Sequence, residues 1–272
     1  MIKPTDTVTL PVGLEIDGIR YKSVTIAEMN GYDEENLASR RVRNNGAKAQ
    51  TLLLRRCIQE IEGLMPRKNN PNELIKEEYV LRMTSYDRDF LFYSIRTLGG
   101  VPDIDFEWSC DVCGDHNADT ISFEDLEVYE WEDDAPLTIS FEMINGVFED
   151  DKMHTSGEWS FLTGKQQERI ATVPNERLLS ASMAMCISKI GEITHVTEEQ
   201  MKRLSTNERN NVLEQVASEA PGVQNTLDLC CSSCGAETQQ ALDVTRFFKS
   251  AASPKKKPTP DGKRTRRRLR KG

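Results

Sequence analysis

The sequence predicts an α+β fold built by tandem duplication of one unit, a β-hairpin followed by a helical lobe and a cysteine knuckle. The two copies are expected to be related by pseudo-two-fold symmetry and followed by a disordered basic C-terminal tail. Three observations carry that prediction. First, C-x-x-C-G occurs twice, at Cys110 to Gly114 and at Cys231 to Gly235, each time between segments that alternate like strands. Second, Leu81 to Gly114 and Lys202 to Gly235 align without a gap, placing Arg82 on Arg203, Asp87 on Glu208 and Arg88 on Arg209. Third, the likeness continues upstream: Leu53 to Ile61 matches Ser182 to Ile190, and Gly31 to Ala38 matches Gly164 to Ala171. Self-similarity of this kind marks repeated architecture, with a period too long for a solenoid. The first repeat is assigned to residues 1–124, the second to 125–249 and the tail to 250–272.

The knuckles carry the chemistry. In C-x-x-C-G the glycine lets backbone amides turn back toward the sulfurs while two thiolates point at one ion. One knuckle supplies two ligands and a structural zinc takes four, so Cys110, Cys113, Cys231 and Cys234 are expected to share one structural zinc. Seven cysteines in a chain with no export signal favour thiolate metal binding over disulfides. Cys57 and Cys186 fall at equivalent positions on apolar helix faces and are expected to be buried core thiols. Cys230 is out of phase with its knuckle and reads as a spare thiol. His116, three residues after Cys113, is an alternative ligand should one distant cysteine be absent.

In chain order, Val8 to Ile26 alternates with period two around Asp17-Gly18 and predicts a hairpin. Leu10, Val12, Leu14 and Ile16 with Gly18 have their expected counterparts in Leu137, Ile139, Phe141 and Met143 with Gly146, so Pro136 to Phe148 is expected to repeat that hairpin. Thr25 and Glu28 have the spacing of a helix start. Asp33 to Glu62 is expected to form a main helix with Leu52, Leu53, Cys57, Ile61 and Leu64 on one face, repeated at Asn175 to Ile190. Its basic residues, Arg40, Arg41, Arg43, Arg55 and Arg56, read as a solvated face paired with neighbouring carboxylates. Thr84 or Ser85 is expected to cap a helix from Tyr86 to Leu98 that ends at Gly99-Gly100. Thr197 with Gln200, and Thr206, open two further short helices. Glu124 to Asp134 reads as an acidic, solvated linker without the central glycine of a calcium loop. Met153 to Phe161 is expected to be a polar loop anchored by Trp159 and Phe161, and Asp243 to Lys249 to close the fold through Phe247 and Phe248.

Charge divides sharply. Ten Lys and Arg against one Asp give the last twenty residues +9, which leaves −18 for the rest of a chain whose net charge is −9. Such asymmetry marks an interaction tail on an acidic body. There is no run of eighteen apolar residues and no signal-peptide hydrophobic region, which points to a protein that is cytosolic or assembled from the cytosol. Catalysis finds no constellation. The three His form no metalloprotease helix, Ser156 to Lys165 lacks the phosphate-loop pattern, and Asp87 and Asp89 have no nucleophile beside them. The expectation is therefore no enzyme, but a structural or assembly role.

Gly31 to Glu35 carries G-x-x-x-E, and Leu162 to Glu168 carries LTG-x-x-x-E. Each is followed by an amphipathic helix, by R-x-[ST]-x-x-[DE]-R at Arg82 to Arg88 and Arg203 to Arg209, and by a strand ending in C-x-x-C-G. With the hairpin before them, these segments resemble the baseplate hub and hub-assembly protein family of T-even-type contractile-tailed bacteriophages, over residues 8–248. The chain departs from that family in its duplicated unit and its long basic tail. The resemblance implies a virion tail protein at the baseplate, made in the host cytoplasm, with hub, wedge or tape-measure components as partners. The competing class is a nucleic-acid-binding, zinc-ribbon-like protein that uses the basic residues at 255–271 on phosphates or on an acidic protein. An acidic body and a tail without aromatics speak against that class.

Overall fold

The first hairpin turns where the dipeptide signal places it. In the computed structural model, which describes residues 4–37, 45–70, 73–149, 151–224 and 226–241, strands β1 (Thr5–Ile16) and β2 (Ile19–Ala27) pair antiparallel. Asp17 and Gly18 both take positive φ, 50° and 77°, as a two-residue turn matched to strand twist demands. A third strand, β3 (Ile58–Ile61), joins β2 to give the order β1-β2-β3. Helices α1 (Gly31–Leu37), α2 (Gly46–Cys57), α3 (Glu77–Arg82) and α4 (Ser85–Leu98) complete this lobe. Asn45 caps α2 by accepting from Lys48 N, and Thr84 caps α4 by accepting from Asp87 N. The knuckle hairpin follows, β4 (Asp103–Ser109) with β5 (His116–Ser122).

After a short 3-10 turn (Phe123–Asp125) and β6 (Val128–Tyr129), the second half lays down the same kinds of element in the same order. Strands β7 (Thr138–Glu149), β8 (Lys152–Ser160) and β9 (Ile187–Ile190) form a sheet ordered β7-β8-β9. Helices α5 (Gly164–Ile170), α6 (Asn175–Cys186), α7 (Glu198–Arg203) and α8 (Thr206–Glu219) form its lobe. Strand β10 (Gly222–Val223) pairs with β6, and β11 (Thr226–Cys230) with β12 (Glu237–Ala241) makes the second knuckle hairpin. The fold is thus α+β. Among the described residues no helix is long and apolar enough to cross a membrane.

Each lobe has its own core. Leu10, Leu14, Val24, Leu53, Leu54 and Leu91 are buried together in the first, and Ile139, Phe141, Trp159, Met183 and Val212 in the second. Val12, on β1, belongs to the second core, and Tyr86 of α4 packs edge-on against Phe161 at 5.2 Å, so apolar packing crosses the boundary. Cys57 and Cys186 are both buried.

A buried carboxylate in each lobe fixes a strand irregularity. Asp87 accepts from Val12 N at 2.8 Å and from Gly13 N at 3.2 Å, where the register of β1 shifts between Thr9 and Leu14. Thr84 Oγ1 donates to the same carboxylate at 2.9 Å. Burial pushes the Asp87 carboxyl up to about 6, although the Val12, Gly13 and Thr84 bonds work the other way. Glu208 does the corresponding work on β7, accepting from Ile144 N at 2.5 Å and Asn145 N at 3.0 Å, where the register shifts between Glu142 and Val147. An orphaned backbone amide at a buried bulge is costly, and these carboxylates remove that cost.

Several expectations are corrected. The main helix is broken: α1 and α2 are separate, and α2 ends at Cys57 because Ile58–Ile61, rich in β-branched residues, pairs with β2 instead. The second main helix likewise ends at Cys186, before β9. Thr25 and Glu28 start no helix, for Thr25 lies inside β2. The second hairpin does not turn at Gly146. That glycine, φ 78°, sits in the bulge of β7 where a β-carbon would lie 2.3 Å from His154 O, and the chain reverses only beyond Glu149. Met153 to Phe161 is accordingly mostly strand β8. The acidic linker is strapped down: Trp131 N donates to Pro11 O at 2.8 Å, Lys22 Nζ to Trp131 O at 3.0 Å, and Arg20 to the carbonyls of Glu132 and Ala135, both at 2.9 Å. Two helix openings stand as expected: α8 begins at Thr206, capped by Ser205, and Thr197 with Gln200 forms a full capping box on α7. Arg40, Arg41, Arg43, Phe247, Phe248 and the basic tail lie outside the described residues.

Candidate metal centre

Each knuckle is a short hairpin whose loop is closed by the same two backbone bonds. Cys110 N donates to Asp115 O and Gly114 N to Cys110 O; Cys231 N donates to Ala236 O and Gly235 N to Cys231 O. Gly114 and Gly235 take φ of 74° and 73°, a left-handed conformation that strains any other L-residue. The loop therefore turns tightly enough for both of its thiols to face one point.

The two loops meet. The sulfurs of Cys110, Cys113, Cys231 and Cys234 all lie within 4.8 Å of one another. Cys110 Sγ is 3.7 Å from Cys234 Sγ, and Cys113 Sγ is 3.7 Å from Cys231 Sγ. The first cysteine of each knuckle is thus matched with the second of the other, at equal distance. A disulfide needs about 2.05 Å, so these are not disulfide pairs. A tetrahedron with metal–sulfur bonds of about 2.3 Å has edges of about 3.8 Å, which the two 3.7 Å separations match. The donor set is soft and four-fold, able to hold one thiophilic metal ion with no position left open for water.

The surroundings suit thiolates. Val112 N lies 3.4 Å from Cys110 Sγ, and Asn117 Nδ2 lies 3.6 Å from Cys231 Sγ. Amides of Cys234 and Ser233, then the Asn117 side chain, hold the Cys231 thiol down to about 6. The Asp115 amide works the same way on Cys113, yet its sulfur neighbours Cys234, Cys110 and Cys231 push that thiol up to about 12. Four sulfurs this close oppose one another's ionisation, and a divalent cation among them would let all four ionise together. Trp108 is buried against Cys110 and Cys231 and donates from Nε1 to Asp119 Oδ2 at 2.6 Å, screening one side of the cluster from water.

All four expected ligands are therefore brought together. His116 is not among them; its Nδ1 is 3.0 Å from Ser109 Oγ. Cys230 stands apart, exposed, with its thiol 3.6 Å from Gly235 O. Asn117 was missed by the sequence reading. It receives Ser232 N at 2.9 Å and Ser232 Oγ at 2.7 Å on its Oδ1 while its amide reaches Cys231, so one side chain ties the loops together. Ser233 Oγ adds a second tie to Asp115. A polar side chain four residues after a knuckle cysteine carries no sequence signal of that role.

A family model described as T4 bacteriophage base plate protein matches residues 19–249, a span that takes in both lobes and both knuckles. The chain belongs to that family. Membership gives it a structural role in the phage baseplate, a place in the virion tail, and other tail and baseplate proteins as partners. No curated protein and no solved structure matches the chain. Among the described residues the four-cysteine cluster is the feature with a definite chemistry, while the half-buried Arg55 and Arg56 are paired internally with Glu77 and Asp33.

Proposed function

We propose that the chain is a scaffold of the baseplate hub region whose two lobes are clamped by one structural zinc held by Cys110, Cys113, Cys231 and Cys234. The observation that carries this reading is the convergence of two knuckles more than a hundred residues apart on one cluster of four sulfurs. Metal binding in such a site is folding free energy, on the order of 10 kcal/mol. That is as large as the whole net stability of an ordinary domain, about 5 to 15 kcal/mol. The zinc would therefore set the angle between the lobes and hold it under load.

The lobes, residues 1–124 and 125–249, are copies of one duplicated unit in this reading. Three coincidences support it: the matched order of elements, the bulge-capping pair Asp87 and Glu208 with their caps Thr84 and Ser205, and the paired knuckle bonds. The acidic body and the basic residues at 255–271 offer two docking surfaces, for hub, wedge or tape-measure proteins. The second reading, phosphate binding by the tail, is favoured only by its ten basic side chains.

The experiment compares full-length chain, chain ending at Ser250, and the Cys113→Ser, Cys234→Ser double variant in baseplate assembly and in DNA binding across a salt titration. The scaffold reading expects assembly to fail in the zinc-site variant, and the truncation to leave DNA-independent assembly intact or to weaken it only at an acidic partner. Assembly unaffected by loss of the zinc site, with tail-dependent DNA binding, would replace it by the nucleic-acid reading.

A further inference from the structure

The contact between the lobes is one-sided. Gly164 opens α5 and lies directly on Arg88 of the first lobe; a β-carbon there would stand 2.3 Å from Arg88 Nη1 and 2.8 Å from Val80 O. Gly164 N donates to Met83 O at 2.9 Å, and Ser85 N to Leu162 O at 2.6 Å. One turn along α5, Glu168 takes the Thr51 hydroxyl at 2.6 Å, and its carbonyl takes Asn45 Nδ2 at 3.1 Å. So the face of α5 that presents Gly164 and Glu168 is seated on the surface formed by the start of α2 and by Arg88.

The first lobe carries the same face on α1, and the second lobe carries the same seat. Gly31 and Glu35 are exposed, and nothing lies within 4 Å of a β-carbon built on Gly31. At the seat, Arg209 stands for Arg88 and Ser180 for Thr51, both in register with their elements. Arg88 makes four hydrogen-bonded contacts, to Val80 O, Ala47 O, Gln50 Oε1 and Thr51 Oγ1. The Arg209 guanidinium has no hydrogen bond or ion pair among the described residues, and its Nε is buried without one. Leu178 and Leu179, where α2 has buried Ala49 and Gln50, are 38% and 42% exposed. The second lobe's seat thus presents two exposed leucines beside the half-buried Arg209 cation, with Ser180 buried beneath them.

We propose that a second copy of this chain fills that seat with its own α1 face, so that copies associate head to tail. The occupant is argued from the chain itself: it exposes the glycine and the carboxylate in the spacing that already fits this kind of seat, and Glu35 meets the charge of Arg209. An interface of this heterologous kind, whose two faces differ, closes into a ring or extends into a filament instead of stopping at a dimer. The inference rests on the duplicated-unit reading for the equivalence of the two seats, but not on the zinc.

The test is sedimentation velocity of the purified zinc-loaded full chain over a wide concentration range, with Glu35→Arg, Arg209→Glu and an equimolar mixture of the two. Wild type is expected to gain mass with concentration, and each single variant to weaken association more than tenfold while keeping its melting temperature and zinc content. Mixed, the variants pair an unchanged face with an unchanged seat and a charge-reversed face with a charge-reversed seat, so association is expected to return toward that of wild type. A wild type that stays monomeric throughout, or association untouched by both substitutions, overturns the proposal. Arg88→Glu is the control for the underlying reading: it breaks the internal junction and lowers the melting temperature, whether or not copies associate.

Discussion

Gly164 and Arg88 touch so closely that no side chain fits between them: a β-carbon on Gly164 would lie 2.3 Å from the guanidinium. Gly31, at the matching place in the first lobe, has open space around it. Gly164→Ala is therefore expected to lower stability by about 1–3 kcal/mol through overpacking at a buried junction. Gly31→Ala should change it by no more than about 0.5 kcal/mol in dilute solution. Urea denaturation of both variants at low protein concentration checks the pair, and equal effects would contradict the one-sided junction.

Asp87 sets a pH dependence. Its carboxyl is raised to about 6 by burial, above an ordinary unfolded value of about 4, and Asp89 is raised to about 6 by the same cause. A raised carboxyl contributes stability that is fully present below pH 4 and is lost as pH rises through 6. For Asp87 the shift corresponds to roughly 2–3 kcal/mol. Carbon-detected NMR titration should find the Asp87 carboxyl titrating near pH 6. Asp87→Asn should lessen the fall in stability between pH 4 and 7, leaving the part that Asp89 contributes, and an Asp87 carboxyl that titrates below 4 would show that the Val12 and Gly13 amides outweigh burial.

Asn117 is expected to matter beyond its size. Asn117→Ala removes the donor to Cys231 Sγ and the acceptor for Ser232. Groups that orient metal ligands typically contribute 10–100-fold in affinity, so zinc should be bound more weakly by that factor. Competition with a chromophoric chelator measures it, and unchanged affinity would reduce Asn117 to a loop tie.

Much of this fold could be read from the sequence, and the failures share a physical origin. Both knuckles were legible because their ligand spacing is local and the glycine that follows has one backbone task, seen at Gly114 and Gly235 alike. The caps at Thr84 and Thr197 were legible for the same reason. Ile58–Ile61 was not, since an apolar run at the end of a helical pattern suits either period until β2 is there to pair with it. Gly146 misled the hairpin register because a glycine inside a strand can mark a bulge as well as a turn. The one-sided lobe contact was invisible, as equal motifs in Arg88 and Arg209 give no hint that only the first is covered. The knuckles share their backbone bonds and pair their sulfurs at equal distance, whereas Gly164 is covered and Gly31 is not.

Removing zinc should loosen the whole chain rather than one hairpin, because the ligands come from both halves. Strong chelation is expected to lower the melting temperature by more than 10 °C, given that a change of 1 kcal/mol moves a chain of this size by roughly 2–4 °C. Calorimetry with and without chelator checks this, and a shift under a few degrees would leave the clamp without mechanical weight.

Native mass spectrometry combined with X-ray absorption at the zinc edge tests the central claim most directly. The account predicts one zinc per chain, bound by four sulfurs at about 2.3 Å, with the count falling to zero in the Cys113→Ser, Cys234→Ser variant. Two zincs per chain, a shell containing nitrogen or oxygen, or no metal with two disulfides in its place would contradict it.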